Sequence, residues 1–114
     1  MAKVNSFKRK LQTDVGTSLT VVDSYVVPSL TEVTVIGLTV ANTFTTSVEV
    51  DVSVYDGSTD TYLVKSAPIP LGGSLVVVGG EQKVVLGPGD SIRVRSSEVS
   101  SADVVMSILE ITEV

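Results

Sequence analysis

The 114-residue chain has no cysteine, no histidine and no tryptophan, and only five aromatic side chains. Without cysteine there is neither a disulfide framework nor a thiolate zinc site, and without histidine the commonest metal ligand and the usual general base are both missing. Although the mean hydropathy is +0.41, no uninterrupted apolar run approaches the roughly 18 residues of a membrane-spanning helix. The basic stretch from Lys3 to Lys10 is followed by no apolar segment of the kind a secretory signal carries. These absences close most routes to enzymatic chemistry. The expectation is one soluble, noncatalytic domain with no metal and no other cofactor, at a length that supports a single core.

What is present points one way. Valine fills 24 positions and threonine 12, against nine leucines and four alanines. β-Branched side chains are stiff at χ1 and suit a pleated, half-buried surface, so the bias favours strands. The net charge of −5 is divided unevenly: residues 1–10 carry Lys3, Lys8, Arg9 and Lys10 and no acid, whereas residues 11–114 carry four basic and thirteen acidic residues, a +4 stretch on a −9 body. Residues 1–17 therefore read as a basic N-terminal arm and residues 18–114 as the folded domain. Phe7 and Leu11 flank the basic triplet and give the arm an apolar anchor. Lys3, Phe7, Lys8, Arg9, Lys10 and Leu11 are the candidate partner-binding residues, facing an acidic neighbour such as a second copy of the chain.

Along the body, eight strands are expected. The first runs from Ser18 to Val27 and closes at Pro28; the second, Glu32 to Ala41, is apolar on both faces, with Gly37 marking a close approach. Val48, Val50, Val52 and Val54 alternate with Glu49, Asp51, Ser53 and Tyr55, the period of a strand with one wet face. Asp56-Gly57-Ser58-Thr59-Asp60 turns the chain into Thr61 to Lys65, and Ala67 to Gly73, with two prolines, reads as a crossing between sheets. Ser74 to Val78 and Glu81 to Leu86 form a hairpin over Gly79-Gly80. Gly87-Pro88-Gly89-Asp90 then turns into Ile92 and Val94, and Asp103 to Thr112 ends the chain as an interior strand. Eight short strands with regular turn signals and no helical period give an all-β, single-domain β-sandwich. It is jelly-roll-like, with an immunoglobulin-like order as the alternative.

Candidate chemistry is sparse. The Asp56 to Asp60 loop offers oxygen ligands for calcium, but it lacks the spacing of a calcium-binding loop and has the composition of a turn. Serine and threonine nucleophiles lack a histidine base, and Lys65 and Lys83 lie at outward strand positions. Arg93 and Arg95 are expected to pair with acids such as Glu98 or Asp103; no specific nucleic-acid contact is expected from an acidic body.

Three stretches carry a resemblance. Ser24-Tyr25-Val26-Val27-Pro28 leads into an apolar strand ending in Ala41-Asn42-Thr43; Lys65 to Ser74 contains Ala67-Pro68-Ile69-Pro70-Leu71-Gly72-Gly73; and Leu86-Gly87-Pro88-Gly89-Asp90-Ser91-Ile92-Arg93-Val94 carries a Pro-Gly-Asp turn before a strand. Over about residues 20–112 the chain resembles small all-β virion structural proteins of tailed bacteriophages. The resemblance implies a capsid decoration (cement) protein, or a neck, tail or baseplate accessory protein. It also implies partners among the major capsid or neck and tail proteins and copies of itself, a homotrimer by analogy with decoration proteins. The location implied is the virion: the capsid surface, or alternatively the neck or tail. A carbohydrate- or receptor-binding sandwich at a fibre or tail tip is the rival, with Tyr25, Phe44, Tyr55 and Tyr62 as its aromatic supply.

Overall fold

The chain is folded in half about Gly57-Ser58, and every strand pair but two joins residues at nearly equal distances on either side of that point. The computed structural model describes residues 2–114. Its strands are β1 (Lys3–Val15), β2 (Thr20–Val21), β3 (Thr31–Asn42), β4 (Val48–Tyr55), β5 (Asp60–Ile69), β6 (Ser74–Val78), β7 (Val84–Leu86), β8 (Ser91–Ser96) and β9 (Ala102–Glu113). From the tip outward, β4 pairs with β5, β3 with β6 and β7, β2 with β8, and β1 with β9, from Tyr55↔Asp60 to Lys3↔Glu113, all antiparallel. Successive pairs fall alternately in two sheets, ordered β1-β9-β3-β6 (with β7 also on β3) and β2-β8-β4-β5. The remaining contacts, β3 with β9 and β4 with β8, join the pairs side by side. This nested order is the jelly roll, and it sets aside the immunoglobulin-like alternative.

Between the sheets lies a core built almost wholly of valine, isoleucine and leucine. Val33, Val35, Leu38 and Val40 of β3 meet Val48, Val50 and Val52 of β4, with Ile92, Val94, Val104, Met106 and Ile108 completing the layer. Each projects inward at alternate positions, which is what period two on a one-sided sheet requires. Truncating Ile108, which is fully buried, to alanine costs about 2–5 kcal/mol by the usual cavity argument. Asn42, also buried, closes the β3–β4 loop: Nδ2 donates to the carbonyls of Thr46 (2.9 Å) and Ile69 (3.0 Å), and Oδ1 accepts from the Phe44 amide (2.7 Å). That is the physical role of the Ala-Asn-Thr step.

Five expectations are corrected or refined. The strand expected over 18–27 stops after Val21, because Val22–Ser24 form a 3-10 turn with left-handed backbone at Asp23 (φ 54°) and Ser24 (φ 51°), which no ladder accommodates. Pro68 does not end its strand: β5 is an edge of its sheet, where a missing N–H costs no ladder bond, and Glu49↔Pro68 remains a pair. The crossing between sheets starts only after Ile69. Gly79-Gly80 turns the chain, but β6 and β7 are not a hairpin; both pair with β3, end to end along the same edge. Gly37 marks a bulge against β9 rather than a close approach, since a Cβ there would come no nearer than 4.0 Å to Ser107 Cβ. Finally, the segment expected as an arm contains β1, which runs beside β9 at the end of its sheet. β9 is interior, as expected, because β1 and β3 flank it. Among the described residues no helix is long and apolar enough to cross a membrane.

Candidate functional site

The six candidate residues of the N-terminal segment all lie on β1, and its register divides them between two faces. Lys8↔Ile108 and Lys10↔Met106 place both lysines on the core side of the sheet, while Phe7↔Leu109, Leu11↔Val105, Arg9 opposite Ser107 and Lys3 opposite Glu113 place the other four on the outer side. Directly opposite residues share a face, so the division follows from pairing alone.

On the core side β1 reaches past the other sheet, and its lysines meet a small polar cluster instead of apolar packing. Lys8 Nζ lies 3.0 Å from Glu110 Oε1, the Tyr25 hydroxyl donates to Glu110 Oε2, and Lys10 Nζ sits 4.3 Å from the Tyr25 ring centroid. The Asp23 amide donates to Gln12 Oε1 at 3.0 Å. Burial pushes the Glu110 carboxyl up, but the bonds from Tyr25 and Lys8 and the charges of Lys8 and Lys10 outweigh it and hold it below the usual carboxylate range. Burial first, then the Glu110 carboxylate, pushes the Tyr25 phenol well above its ordinary value. This cluster fastens β1 and the 22–25 turn to β9.

On the outer side the same sheet is apolar and uncovered. Phe7 is 76% exposed and Val105 52%, and Leu11, Val76 and Val85 are also exposed. They surround half-buried Leu109, Ile111 and Ile36. Because Ser107 and Gly37 are small, a shallow groove of about 400 Å³ opens between Phe7 and Ile36, lined also by Arg9. Lys3 stands at one end of the face with Glu32 and Glu113, and Asp103 stands at the other.

The outer face of the second sheet is a contrast. Asp51 is buried there, accepting from Arg95 Nη2 (2.6 Å), Lys65 Nζ (3.1 Å) and the Ser66 amide (2.7 Å). Burial pushes its carboxyl up, but these three donors together hold it below the usual range. Arg93 Nε forms an ion pair with Asp60 Oδ1 (3.3 Å) and its guanidinium stacks on Tyr55 (4.1 Å); Ser53 donates to the same carboxylate at 2.7 Å. The arginines thus pair with Asp60 and Asp51, not with Glu98 or Asp103, because register sets Arg95 directly opposite Asp51 and Arg93 opposite Ser53, beside Asp60 on the next strand. The two body lysines are engaged too: Lys65 on Asp51 and over Tyr62, Lys83 on the Gly80 carbonyl. In the tip loop Asp56 accepts the amides of Ser58 (2.9 Å) and Thr59 (2.8 Å), the geometry of a turn. Tyr25, Tyr55 and Tyr62 each lie beneath a cation, and Phe44 packs against the core, so none of the four is a bare stacking platform.

The fold has counterparts among solved structures. The chain aligns over 98% of its length with a chain from Bacillus endospore appendages, described as disulfide-linked pili, at a TM-score of 0.56 and 13% identity, covering 88% of that chain. It aligns over 99% of its length with a chain of the acid-stable capsid of a Helicobacter pylori bacteriophage, at a TM-score of 0.54 and 11% identity, covering 98% of that chain. Neither a protein-family model nor a curated protein matches the sequence. At these identities the likeness is one of fold: a jelly roll of this length also occurs in a pilus and in a phage capsid.

Proposed function

We propose that this chain is a noncatalytic structural component of a bacteriophage particle, a decoration (cement) protein of the capsid that acts through protein–protein contacts, with β1 as its partner-binding strand. The observation that carries the reading is the difference between the two outer faces. One is sealed by its own ion pairs, while the other leaves Phe7, Leu11, Val76, Val85 and Val105 in water. An apolar sheet face of this extent is what an interface looks like before its partner arrives.

Two further facts support it. The two fold counterparts described above are parts of ordered protein assemblies, one of them a phage capsid. This chain, having no cysteine, cannot form the disulfide links by which those pili are described. Lys3, Phe7, Arg9 and Leu11 supply the contact surface; Lys8 and Lys10 hold the strand in place.

Copy number tests the proposal. Mass spectrometry of purified particles is expected to find hundreds of copies each, as a lattice position demands, whereas about a dozen would mean the neck or tail. Absence from the particle refutes the reading. Phe7→Lys is the companion variant: it leaves β9 its neighbouring strand, which deleting residues 2–10 would not, and it is expected to abolish occupancy.

A further inference from the structure

We propose that β1 is exchanged between copies of this chain: residues 3–13 of one copy leave their own β9 and lie beside β9 of a second copy, which returns its own strand in the same way. The exchange uses the edge of the sheet and not its outer face, so it stands apart from the reading above.

The strand is separable from the body it completes. Among the described residues β1 has one ladder neighbour, β9, and of its own residues only Val15 belongs to the core. The body holds the root of the strand: Val15 pairs with Ala102, its carbonyl accepts from the Ser101 amide (2.9 Å), and the Gly16 carbonyl accepts from the Ser96 amide (2.8 Å). Between strand and root the ladder shifts register from Gln12 to Val15, and Asp14 there has left-handed backbone (φ 55°), which a residue with a Cβ disfavours. An exposed bond from the Asp14 amide to Asp103 Oδ1, at 3.2 Å, ties this joint. With Asp14 in ordinary extended backbone the strain is gone and the strand is directed away from its own β9.

The vacated place selects its occupant. It offers Glu113 opposite Lys3, Glu110 to Lys8 and the Tyr25 ring to Lys10, and the Val114 amide donates to the Ala2 carbonyl. Residues 1–10 bring four cations and no acid. β1 of a second copy meets these same partners at the same register. A one-way departure leaves a bare row of N–H and C=O groups on β9, whereas reciprocal exchange leaves none in either copy. Because every contact of the closed copy is regained, hinge strain is set against the freedom lost on association, and exchange rises with concentration.

The absence of cysteine makes the test clean. Arg9 stands directly opposite Ser107, and directly opposite residues of an antiparallel ladder lie within reach of a disulfide. Arg9→Cys copies are mixed with Ser107→Cys copies at millimolar concentration, held just below the melting temperature, cooled and mildly oxidised. Mass spectrometry is expected to find the mixed disulfide dimer well beyond its statistical share over the two like-with-like dimers. Adding Asp14→Gly to both copies, which removes the penalty on the closed hinge, should lower that yield at least about fivefold; Asp14→Val, which raises the penalty, should increase it. Far-UV circular dichroism and melting temperature verify that each variant is folded. No disulfide, a mixed dimer at its statistical share, or a yield that Asp14→Gly leaves unchanged overturns the exchange. If the exchange fails yet Phe7→Lys still abolishes particle occupancy, the proposed function stands; if strands exchange but the particle lacks the chain, the proposed function falls and the exchange stands.

Discussion

Replacing Asp51 tests the sealed sheet. Its carboxylate is buried, and three groups converge on it: Arg95, Lys65 and the Ser66 amide. Ser66 has left-handed backbone (φ 54°) where the β4–β5 ladder shifts register between Val50 and Val52, so Asp51 pins that bulge. In Asp51→Ala the two cations, both about half exposed, turn to water; their pairs with Asp51 contribute at most about 1 kcal/mol each. The Ser66 N–H, on an exposed residue of the edge strand, loses its bond to a carboxylate, an interaction that contributes about 1.5–3 kcal/mol. The expected loss is about 3 kcal/mol. At about 2.1 cal/mol/K per residue this lowers the Tm of a domain of this size by about 12 °C, measurable by calorimetry at pH 7. Asp51→Asn keeps an acceptor for Ser66 and should lose about half as much. Because the folded-state carboxyl is held below its ordinary value, its contribution is complete above about pH 4 and disappears as the pH falls through the lowered value. The gap between wild type and Asp51→Ala must therefore narrow in acid. A Tm loss below about 3 °C, or a gap equal at pH 7 and pH 2.5, would refute the assignment.

The same sign applies to Glu110, also held low: Glu110→Gln should cost about 1–2 kcal/mol above pH 5 and less in acid, and should speed hydrogen exchange of the β1 amides. Unchanged exchange over residues 4–12 would show that the cluster does not fasten the strand. Gly89→Ala should cost about 1–2 kcal/mol by denaturant titration, since φ is 87° and no neighbour lies within 4 Å, leaving backbone strain as the whole effect. Gly37→Ala, in extended backbone with room for a Cβ, should not destabilise; a loss beyond about 1 kcal/mol would mean the bulge needs glycine. Millimolar calcium should leave the Tm unchanged, because Asp56 accepts from its own loop and Asp60 from Ser53 and Arg93; a rise of several degrees would reveal a site.

Where burial alternates locally, the sequence was a sufficient guide. Val48 to Val54 announced β4, and apolar residues on both faces of 103–112 announced a strand with neighbours on either side. The strand that makes β9 interior was the one hidden. On β1 the core-side positions are Val4, Ser6, Lys8, Lys10 and Gln12, because only the 22–25 turn lies beneath most of its length, so no apolar period betrays it and its charge reads as an arm. Asp23 and Ser24 take left-handed backbone without being glycine, a conformation no composition signals. Gly79-Gly80 signalled a turn correctly, but a turn does not say which edge the next strand will join. The six candidate residues share one strand; that they divide between two faces depends on Phe7 standing opposite Leu109, a register fixed 102 residues away in the chain.

That register gives the charge polarity its meaning. Three of the four body cations, Lys65, Arg93 and Arg95, are committed to Asp51 and Asp60 on the sealed sheet, and Lys83 to a loop carbonyl. The basic groups that remain are those of β1, and two of these, Lys8 and Lys10, are committed to Glu110 and Tyr25. Lys3 and Arg9 are left on the apolar face with Phe7 and Leu11. A strand so divided is held by one set of side chains and presents the other, so its attachment and its exposed surface can be altered separately. Loosening the Glu110 cluster should change how long β1 stays on β9 without changing what it displays; altering Phe7 should do the reverse. A frayed basic tail would have no such division, because its side chains would share one environment, water.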